Sequence, residues 1–573
     1  MLGKNLNYHF KSLFSHYGLL AVIAAGYSFL IGMILFKYYF LMDEGVVDAY
    51  IFKLYAAPYS YIYFVLIGII SLIYFSMEQD VFMQEALALE LNNEQMKMKY
   101  LVLMLLNGIT YVIVSLITVL PYLFCKTVGP LHLSFVLSML YQNFADYFLV
   151  GIFAIFSGHL GSIFTLRRYR IYFFVVMQFL FGYPFLWISQ SFVLSVTGNP
   201  IIKFILNATA LLPDGFQAGT DNYAIYPTQP HRIALIICWC FFLLFLIQLM
   251  GAKPVFKRWV TYTSCTCFAV FLFLSCLPYC QASSGERTID RFAKMYRQMD
   301  DRENGREIAE AEFCVTSYDI TIDAFFNLYA VVRAELGCER LEEYTFTLYD
   351  GYHILHIKDQ NGRVLRYKRE GHYLTVYSDG SPLSEILFTY YGAGDPFYCD
   401  ASAIFLPNGV PFYPMPGMVS LYEDSEFYDM TYYSNNRLPD TCYKVTIHTI
   451  GEVFCSLSQT GYHQYAGVAD GFFVLKGMYD MVQYDETTFI YPYAVSHGLD
   501  VLDETKVQLY LDGITTILSE KGYHSLPGYI FIGWMYGKSR PLDIYANDMV
   551  IDRLHYDERI KEDIEYYLQL EEE

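Results

Sequence analysis

The sequence predicts a two-part membrane protein: an α-helical polytopic membrane domain of about seven spans, then an extracytoplasmic, mainly-β domain with a small α/β C-terminal portion. Three observations lead there. Residues 1–280 contain long apolar runs separated by short charged segments. From residue 313, apolar and polar residues alternate between glycine-marked turns. The charge also changes, from 15 basic and 11 acidic residues before position 281 to 23 and 47 after it.

The stretch that divides the chain is Trp259–Tyr279, which carries no charge and is long enough to cross a bilayer as a helix. Lys253, Lys257 and Arg258 precede it, so the positive-inside rule places the preceding segment in the cytoplasm and the following domain outside. We therefore expect a transmembrane domain at 1–280, a helical connector at 281–312, a β-sandwich at 313–500 and an α/β segment at 501–573.

Apolar runs of spanning length define the membrane domain. The seven predicted spans are Tyr17–Phe36, Ala56–Met77, Leu101–Cys125, Tyr147–Thr165, Ile171–Val196, Ile233–Met250 and Trp259–Tyr279. A short re-entrant helix is expected at Ile201–Leu212. With the N-terminus inside, ten basic residues fall in inner segments and five in outer ones, which favours a multi-pass plasma-membrane protein with a cytoplasmic N-terminus.

The segment Met77–Tyr100 has apolar residues at nearly helical spacing and acids between them, which predicts an amphipathic cytoplasmic helix. Such helices commonly bind partner grooves, so it is a candidate docking site for an ATPase subunit. The alternative is an ordinary solvated face for the acids, and a topology signal for the two arginines. The candidate docking residues are Glu78, Asp80, Glu85, Glu90, Arg167 and Arg168.

The predicted spans contain no pair of carboxylates and no run of ionisable residues, which disfavours ion-coupled transport. The chain also lacks an ATP site of its own. Gly537-Lys538-Ser539 resembles the end of a phosphate loop, but Ile532 stands where that motif requires glycine. Any transport should therefore be powered by a separate chain.

Short strands are predicted throughout the outer half. Tyr318–Leu336 alternates as a two-strand unit, and Glu343–Gly380 is a series of strands with Asp-Gly, Asn-Gly and Glu-Gly turns. Strands at this spacing indicate an antiparallel sandwich. In the tail, the pattern predicts a helix at Thr505–Lys521, a strand at Gly528–Met535 and a closing helix at His555–Leu570.

A characteristic series of segments lies in residues 313–495: Tyr318–Asp323, Phe346–Tyr349, Gly351, Arg363–Arg369, Leu383–Gly392 and FLPNGVPFYP at Phe405–Pro414. Their order resembles the N-terminal β-sandwich of aminopeptidase-N-type zinc peptidases, above all the copies fused behind bacterial ABC-type permeases. The membrane half is similar to such permeases in span count and cytoplasmic loop.

The catalytic residues of those peptidases are missing from the sequence. It contains no His-Glu dipeptide, and hence no His-Glu-x-x-His, and Gly533–Gly537 lacks the glutamate of the Gly-x-Met-Glu-Asn segment. His353 and His356 should face opposite sides of a strand and so should not share a metal. We expect the sandwich without the reaction: no enzyme activity, no cofactor and no metal.

These observations leave two hypotheses open. The first is the membrane subunit of an ABC-type exporter, partnered by the bilayer and a separate ATP-binding subunit, and forming a homo- or heterodimer. The alternative is a membrane-anchored scaffold that recruits a separately encoded metallopeptidase, or a peptide or glycan. The acidic outer half argues against nucleic acid as a partner. Cys399 and Cys455 are the thiols that the sequence suggests for labelling from outside.

Overall fold

The computed structural model describes the following residues: 17–36, 49–76, 91–124, 133–163, 167–182, 209, 211–212, 230–250, 258–276, 310–325, 327–337, 341–378, 380, 382–392, 397–400, 403–419, 422–424, 431–433, 438–477, 479–484, 486–492, 515, 528–532, 542–544 and 548–551. They fall into two compact units. We call them the helical unit, up to residue 276, and the β unit, from residue 310.

The helical unit is built from long apolar helices. They are α1 (Tyr17–Leu35), α2 (Ala49–Ser76), α3 (Leu91–Phe124), α4 (Leu133–Asn143), a π-helical segment (Phe144–Leu149), α5 (Val150–Ile163), α6 (Arg167–Phe181), α7 (Pro230–Met250) and α8 (Arg258–Cys276). Helices α4 and α5 continue through the π-helical segment as one run.

Five of the described helices are long and apolar enough to cross a membrane, where the sequence predicted seven. The fifth and seventh predicted spans correspond to shorter apolar stretches, Tyr169–Phe181 and Val260–Phe273. Helix α6 has 15 described residues, which rise only about 22 Å, less than the hydrocarbon core of a bilayer.

Two further predictions about the helices need correction. Helix α3 already begins at Leu91, so the second part of the predicted amphipathic helix is continuous with the third span rather than separate from it. The fourth span begins about a dozen residues earlier than predicted, because α4 and the π-helical segment precede α5. Residues 77–90, most of the predicted re-entrant helix and the connector from 281 to 309 lie outside the described residues.

The β unit begins with a hairpin and continues as short strands. They are β1 (Val315–Ala324), β2 (Leu328–Leu336), β3 (Glu343–Thr347), β4 (Tyr352–Asp359), β5 (Tyr367–Glu370), β6 (Tyr373–Tyr377), β7 (Glu385–Gly392), β8 (Tyr398–Cys399), β9 (Ile404–Leu406), β10 (Met415–Pro416), β11 (Tyr422–Asp424), β12 (Thr431–Tyr433), β13 (Thr441–His448), β14 (Phe454–Cys455), β15 (Ser458–Gly461), β16 (Gln464–Ala469), β17 (Val474–Lys476), β18 (Tyr479–Tyr484), β19 (Thr487–Pro492), β20 (Tyr529–Ile532), β21 (Leu542–Ile544) and β22 (Asp548–Ile551).

The largest sheet has seven strands in the order β15-β16-β13-β1-β2-β7-β4, and smaller sheets of four strands share a core with it. The predicted antiparallel sandwich is wrong in one respect, since β1 and β13 run parallel with Ile320 opposite Val445. Parallel neighbours need a long connection, and here it contains β2 to β12, of which β2, β4 and β7 belong to the same sheet. Tyr318, Tyr413 and Tyr443 pack in the core, where Tyr318 donates to the Pro414 carbonyl at 2.7 Å.

The predicted glycine turns are confirmed where the structure describes them. Gly362, Gly371 and Gly380 have positive φ angles of 79°, 61° and 81°, a conformation that residues with a Cβ rarely adopt.

The predicted strand at Gly528–Met535 is present as β20, inside a sheet ordered β18-β19-β20-β22-β21. The two helices predicted for the tail lie outside the described residues, apart from Thr515.

Candidate functional site: a polar stripe in the helical unit

Helix α3 exposes apolar residues on one face and buries polar residues on the opposite face. This is the reverse of a helix on the surface of a water-soluble protein. Its exposed face carries Leu105, Ile109, Val112 and Leu116, spaced three and four residues apart. Its buried face carries polar residues, which we call the α3 polar stripe: Tyr100, Asn107, Thr110 and Thr118. Apolar side chains outside and polar side chains inside suit a hydrocarbon environment, because only the interior offers hydrogen-bond partners there.

Each residue of the α3 polar stripe bonds to a different element. The Tyr100 hydroxyl bonds to the His159 ring on α5, and the Tyr63 hydroxyl on α2 donates to Asn107. Tyr27 on α1 and Thr110 join their hydroxyls at 2.8 Å. Asn143 at the end of α4 donates to Thr118 at 2.9 Å. The stripe therefore ties α3 to four neighbouring helices.

The length of the α3 polar stripe is close to that of a bilayer core. Tyr100 and Thr118 are 18 residues apart, so the stripe rises about 27 Å along the helix, against about 30 Å for the hydrocarbon thickness. Hydrogen-bonded polar residues therefore recur over a length of α3 comparable to the thickness of a bilayer core.

A buried ion pair adjoins the Thr118 end of the stripe. The Arg232 guanidinium at the start of α7 contacts the Asp146 carboxylate, and the two side chains are 4% and 1% exposed. Gln142 donates to the other carboxylate oxygen at 2.8 Å, and Arg232 Nε donates to the Leu211 carbonyl at 3.0 Å. Hydrogen bonds to both charges are what a desolvated ion pair requires, because burial is costly for each ion.

The π-helical segment carries the acidic member of that pair. Asp146 sits within Phe144–Leu149, where the backbone turns more widely than in an α-helix. In the same segment, the Phe148 carbonyl accepts a hydrogen bond from Asn107 of the α3 polar stripe at 2.9 Å. Such segments inside α-helices are frequently found at functional sites.

A second buried cation lies at the Tyr100 end of the stripe. Lys99 is 2% exposed and donates to the Tyr74 carbonyl at 3.2 Å. Its ammonium also lies 5.2 Å from the centre of the Tyr74 ring, within the range of a cation–π interaction. Phe75 stacks on the His159 ring with centroids 4.3 Å apart. If these helices cross a membrane, a buried ionisable residue such as Lys99 is a candidate functional residue.

The residues selected from sequence are not those of the polar stripe. Glu78, Asp80, Glu85 and Glu90 lie outside the described residues. Arg167 and Arg168 begin α6, but their side chains are also outside what the structure describes. The docking prediction therefore remains a prediction.

Sequence reasoning missed the ion pair and the stripe, although both leave a signal. Asp146 is one residue before the predicted start of the fourth span, so hydropathy assigns it to a loop. Arg232 is one residue before the sixth predicted span and counts among the five outer basic residues. The stripe is visible as polar residues separated by seven, three and eight positions, which helical geometry brings to one face.

In the β unit, the two histidines of β4 lie on one face, contrary to the prediction. A bulge between Ile354 and His356 puts His353 opposite Tyr391 and His356 opposite Thr389, and residues two apart on β7 share a face. Within the described residues, no group of three or more His, Cys, Asp or Glu side chains could hold a metal ion. The expectation of a chain without enzyme activity is thus still a prediction.

The cysteines of the β unit differ in accessibility. Cys399 and Cys455 are buried, and burial raises the pKa of the Cys399 thiol well above its usual value. Cys314 and Cys442 are exposed. Labelling from outside should therefore use Cys314 or Cys442 and not the buried thiols.

Comparison with known proteins gives partial structural matches. No family model and no curated protein matches the sequence. An M1 zinc metallopeptidase from Deinococcus radiodurans is similar at 12% identity and a TM-score of 0.28, over 44% of this chain and 62% of the peptidase. Aminopeptidase A from Legionella pneumophila in complex with aspartic acid gives 10% identity and 0.28, over 44% and 31%. The chain thus matches less than two thirds of either peptidase.

Proposed function

We propose that this chain is the membrane subunit of an ABC-type exporter, powered by a separate ATP-binding chain, with the β unit on the outer face of the plasma membrane. The observation that carries the proposal is the α3 polar stripe. A protein that is only anchored in the bilayer needs no hydrogen-bonding surface across the hydrocarbon core, and each buried polar group costs free energy unless it is paired. The bonds of the stripe join α3 to four neighbouring helices, as the several spans of a transport subunit must be joined.

The charge distribution supports the orientation. Lys99 and Arg232 are buried in polar contacts, so they are poor indicators of topology. Without these two residues, nine basic residues lie in the predicted inner segments and four in the outer ones. This ratio still favours a cytoplasmic N-terminus. The strongly acidic β unit then follows α8 on the outer side.

The ATP-binding partner would contact the predicted cytoplasmic segment before α3. We expect Glu78, Asp80, Glu85 and Glu90 to contribute to this contact, with Arg167 and Arg168 at the start of α6.

The test is co-purification of the full chain in mild detergent, followed by an ATPase assay of the complex. Replacing the four acids by Gln or Asn should reduce the retained ATPase activity by about tenfold or more, as expected when several charged contacts are lost together.

Neutralising four acids in the β unit, at Glu335, Glu343, Glu370 and Glu385, is the matched control and should leave ATPase retention unchanged. The proposal fails if the wild-type chain brings down no ATP-binding protein. It also fails if the altered chain retains as much ATPase activity as the wild type.

A second candidate function is supported by one end of the seven-stranded sheet. Phe325 follows β1, Ile450 follows the parallel strand β13, and Tyr462 lies in the β15–β16 turn, so the three exposed side chains share that end. Such apolar side chains can anchor a protein partner. Under this alternative, the spans serve as an anchor and the β unit recruits a separate metallopeptidase, or a peptide or glycan.

The two candidates predict different effects of the same variant. Ile450→Asp with Tyr462→Asp should abolish co-purifying aminopeptidase activity under the scaffold hypothesis. The exporter hypothesis predicts that this variant retains the ATP-binding partner at the wild-type level.

A further inference from the structure

The outer face of the largest sheet carries two histidines on one of its terminal strands. Strand β4 ends the order β15-β16-β13-β1-β2-β7-β4, where it pairs with β7. Tyr352 and Ile357 of this strand are almost completely buried and belong to the core. His353 is exposed and His356 is partly exposed. The two imidazoles therefore lie on the face of β4 that is turned away from the core.

A β-bulge brings the two histidines to this face. In a regular strand, residues three apart point to opposite sides of the sheet. Here the pairing with β7 skips Leu355. His353 and His356 therefore lie opposite residues that are two positions apart on β7, and so they share a face. Bulges commonly redirect a side chain, and they are over-represented next to active sites.

The spacing of the two histidines suits a shared metal ion. Residues two apart on a strand are separated by about 7 Å, and the partners of His353 and His356 on β7 have this spacing. Two imidazole nitrogens bound to one Zn²⁺ are each about 2.0–2.1 Å from the metal, and so about 3.3 Å apart in a tetrahedral site. Rotation about the two side-chain torsions of each histidine can bring the rings together over the exposed face.

The donor set indicates the class of metal ion. Imidazole is a ligand for Zn²⁺ and Cu²⁺, whereas Mg²⁺ and Ca²⁺ prefer oxygen. In the described ranges, the His, Cys, Asp and Glu side chains form no group of three that could hold a metal. Water would therefore complete the coordination. A site of this kind binds more weakly than a closed structural zinc site, which has four protein ligands, and it keeps open positions.

We propose that His353 and His356 form a two-imidazole binding site for Zn²⁺ or Cu²⁺ on strand β4. The two ions share one ligand chemistry, and Cu²⁺ should bind more tightly because it stands above Zn²⁺ in the general order of affinities. The site requires neither an ATP-binding partner nor a particular side of the membrane. It is therefore independent of the proposed function.

Titration of the full chain in detergent with Zn²⁺, and with Cu²⁺ carried by iminodiacetate, tests the proposal. This chelator leaves positions on Cu²⁺ that two imidazoles can fill. His353→Gln and His356→Gln should each weaken the binding of both ions by about tenfold or more, because the second imidazole binds intramolecularly. The electron paramagnetic resonance spectrum of the bound Cu²⁺ should show coupling to one protein nitrogen fewer.

The matched control is His448→Gln on β13. His448 is also exposed, and its ring bonds to the Asp323 carboxylate at 2.7 Å. This substitution should leave the affinity of the site unchanged. Either of two results would overturn the proposal: a wild-type chain that binds no tighter than the chain without both β4 histidines, or single variants of His353 and His356 that bind as tightly as the wild type.

A gain of affinity provides a second measurement that misfolding cannot imitate. Lys358 follows His356 by two positions of regular pairing, so the two side chains share a face. Lys358→Glu replaces a positive charge near the site by a carboxylate that can ligate the ion. It should tighten Zn²⁺ binding by about tenfold or more, and only when both histidines are present. Unchanged or weaker binding would contradict the proposal.

Discussion

The ion pair between Asp146 and Arg232 gives the sharpest test of the helical unit. Both side chains are almost fully buried; the Asp146 carboxylate also accepts from Gln142, and Arg232 also donates to the Leu211 carbonyl. Removing one partner leaves a buried, uncompensated charge, which costs about 3–5 kcal/mol. We therefore expect Asp146→Leu and Arg232→Met each to lower the free energy of unfolding by that amount.

The double variant should behave differently. With both charges gone, the Gln142 amide and the Leu211 carbonyl each lose a partner, which costs about 1–3 kcal/mol per group. The coupling energy of the cycle, the two single losses minus the double loss, should then be clearly positive, about 4 kcal/mol from the midpoints of these ranges. Reversible unfolding of the full chain in mixed micelles, followed by helical circular dichroism, measures all four states.

The matched control is Leu116→Met on the exposed face of α3, which should change the free energy of unfolding by less than about 0.5 kcal/mol. Two outcomes would refute the reasoning. One is a pair of single variants as stable as the wild type. The other is additive behaviour, which would mean that the two charges do not depend on each other.

Three further predictions concern packing, pH and backbone conformation. Gly158→Ala places a Cβ 2.6 Å from Ser71 Cβ and should cost about 1–3 kcal/mol, whereas Gly108→Ala meets open space and should be neutral or stabilising in the same assay. Burial raises the pKa of Tyr465 to about 12 and that of Tyr318 well above 10. The folded β unit therefore holds protons that the unfolded chain releases above about pH 10, so its stability should fall with rising pH there, and the phenolate absorbance of these buried tyrosines should appear only on unfolding. Gly371→Val should cost about 1–2 kcal/mol through its positive φ, and Gly371→Asn clearly less; equal losses would contradict this.

Much of the β unit could be predicted from sequence because its signals are local. Alternation of apolar and polar residues defines β1 and β2, and Asn-Gly or Glu-Gly pairs mark turns whose glycines need positive φ. The parallel pairing of β1 with β13 could not be predicted from local sequence patterns, because it joins residues about 125 positions apart. The bulge in β4 was also missed, because a single extra residue leaves no mark in the alternation.

The buried polar features of the helical unit were harder to predict. Hydropathy identifies a span by its mean apolar content. The residues Asn107, Thr110 and Thr118 of the α3 polar stripe lower that mean only slightly. Asp146 was missed because the π-helical segment extends the fourth span beyond its most apolar part. Its partner, Arg232, is 86 residues away, and such a pairing depends on tertiary packing.

The side of the membrane on which the β unit lies is the central claim, and the exposed thiol of Cys442 tests it most directly. The measurement is labelling of Cys442 in intact cells with a maleimide that cannot cross lipid, after mild reduction, in a chain carrying Cys314→Ser. The same chain with Cys442→Ser sets the background. We predict labelling of intact cells equal to that of opened cells. Labelling that appears only after the membrane is opened would contradict the account.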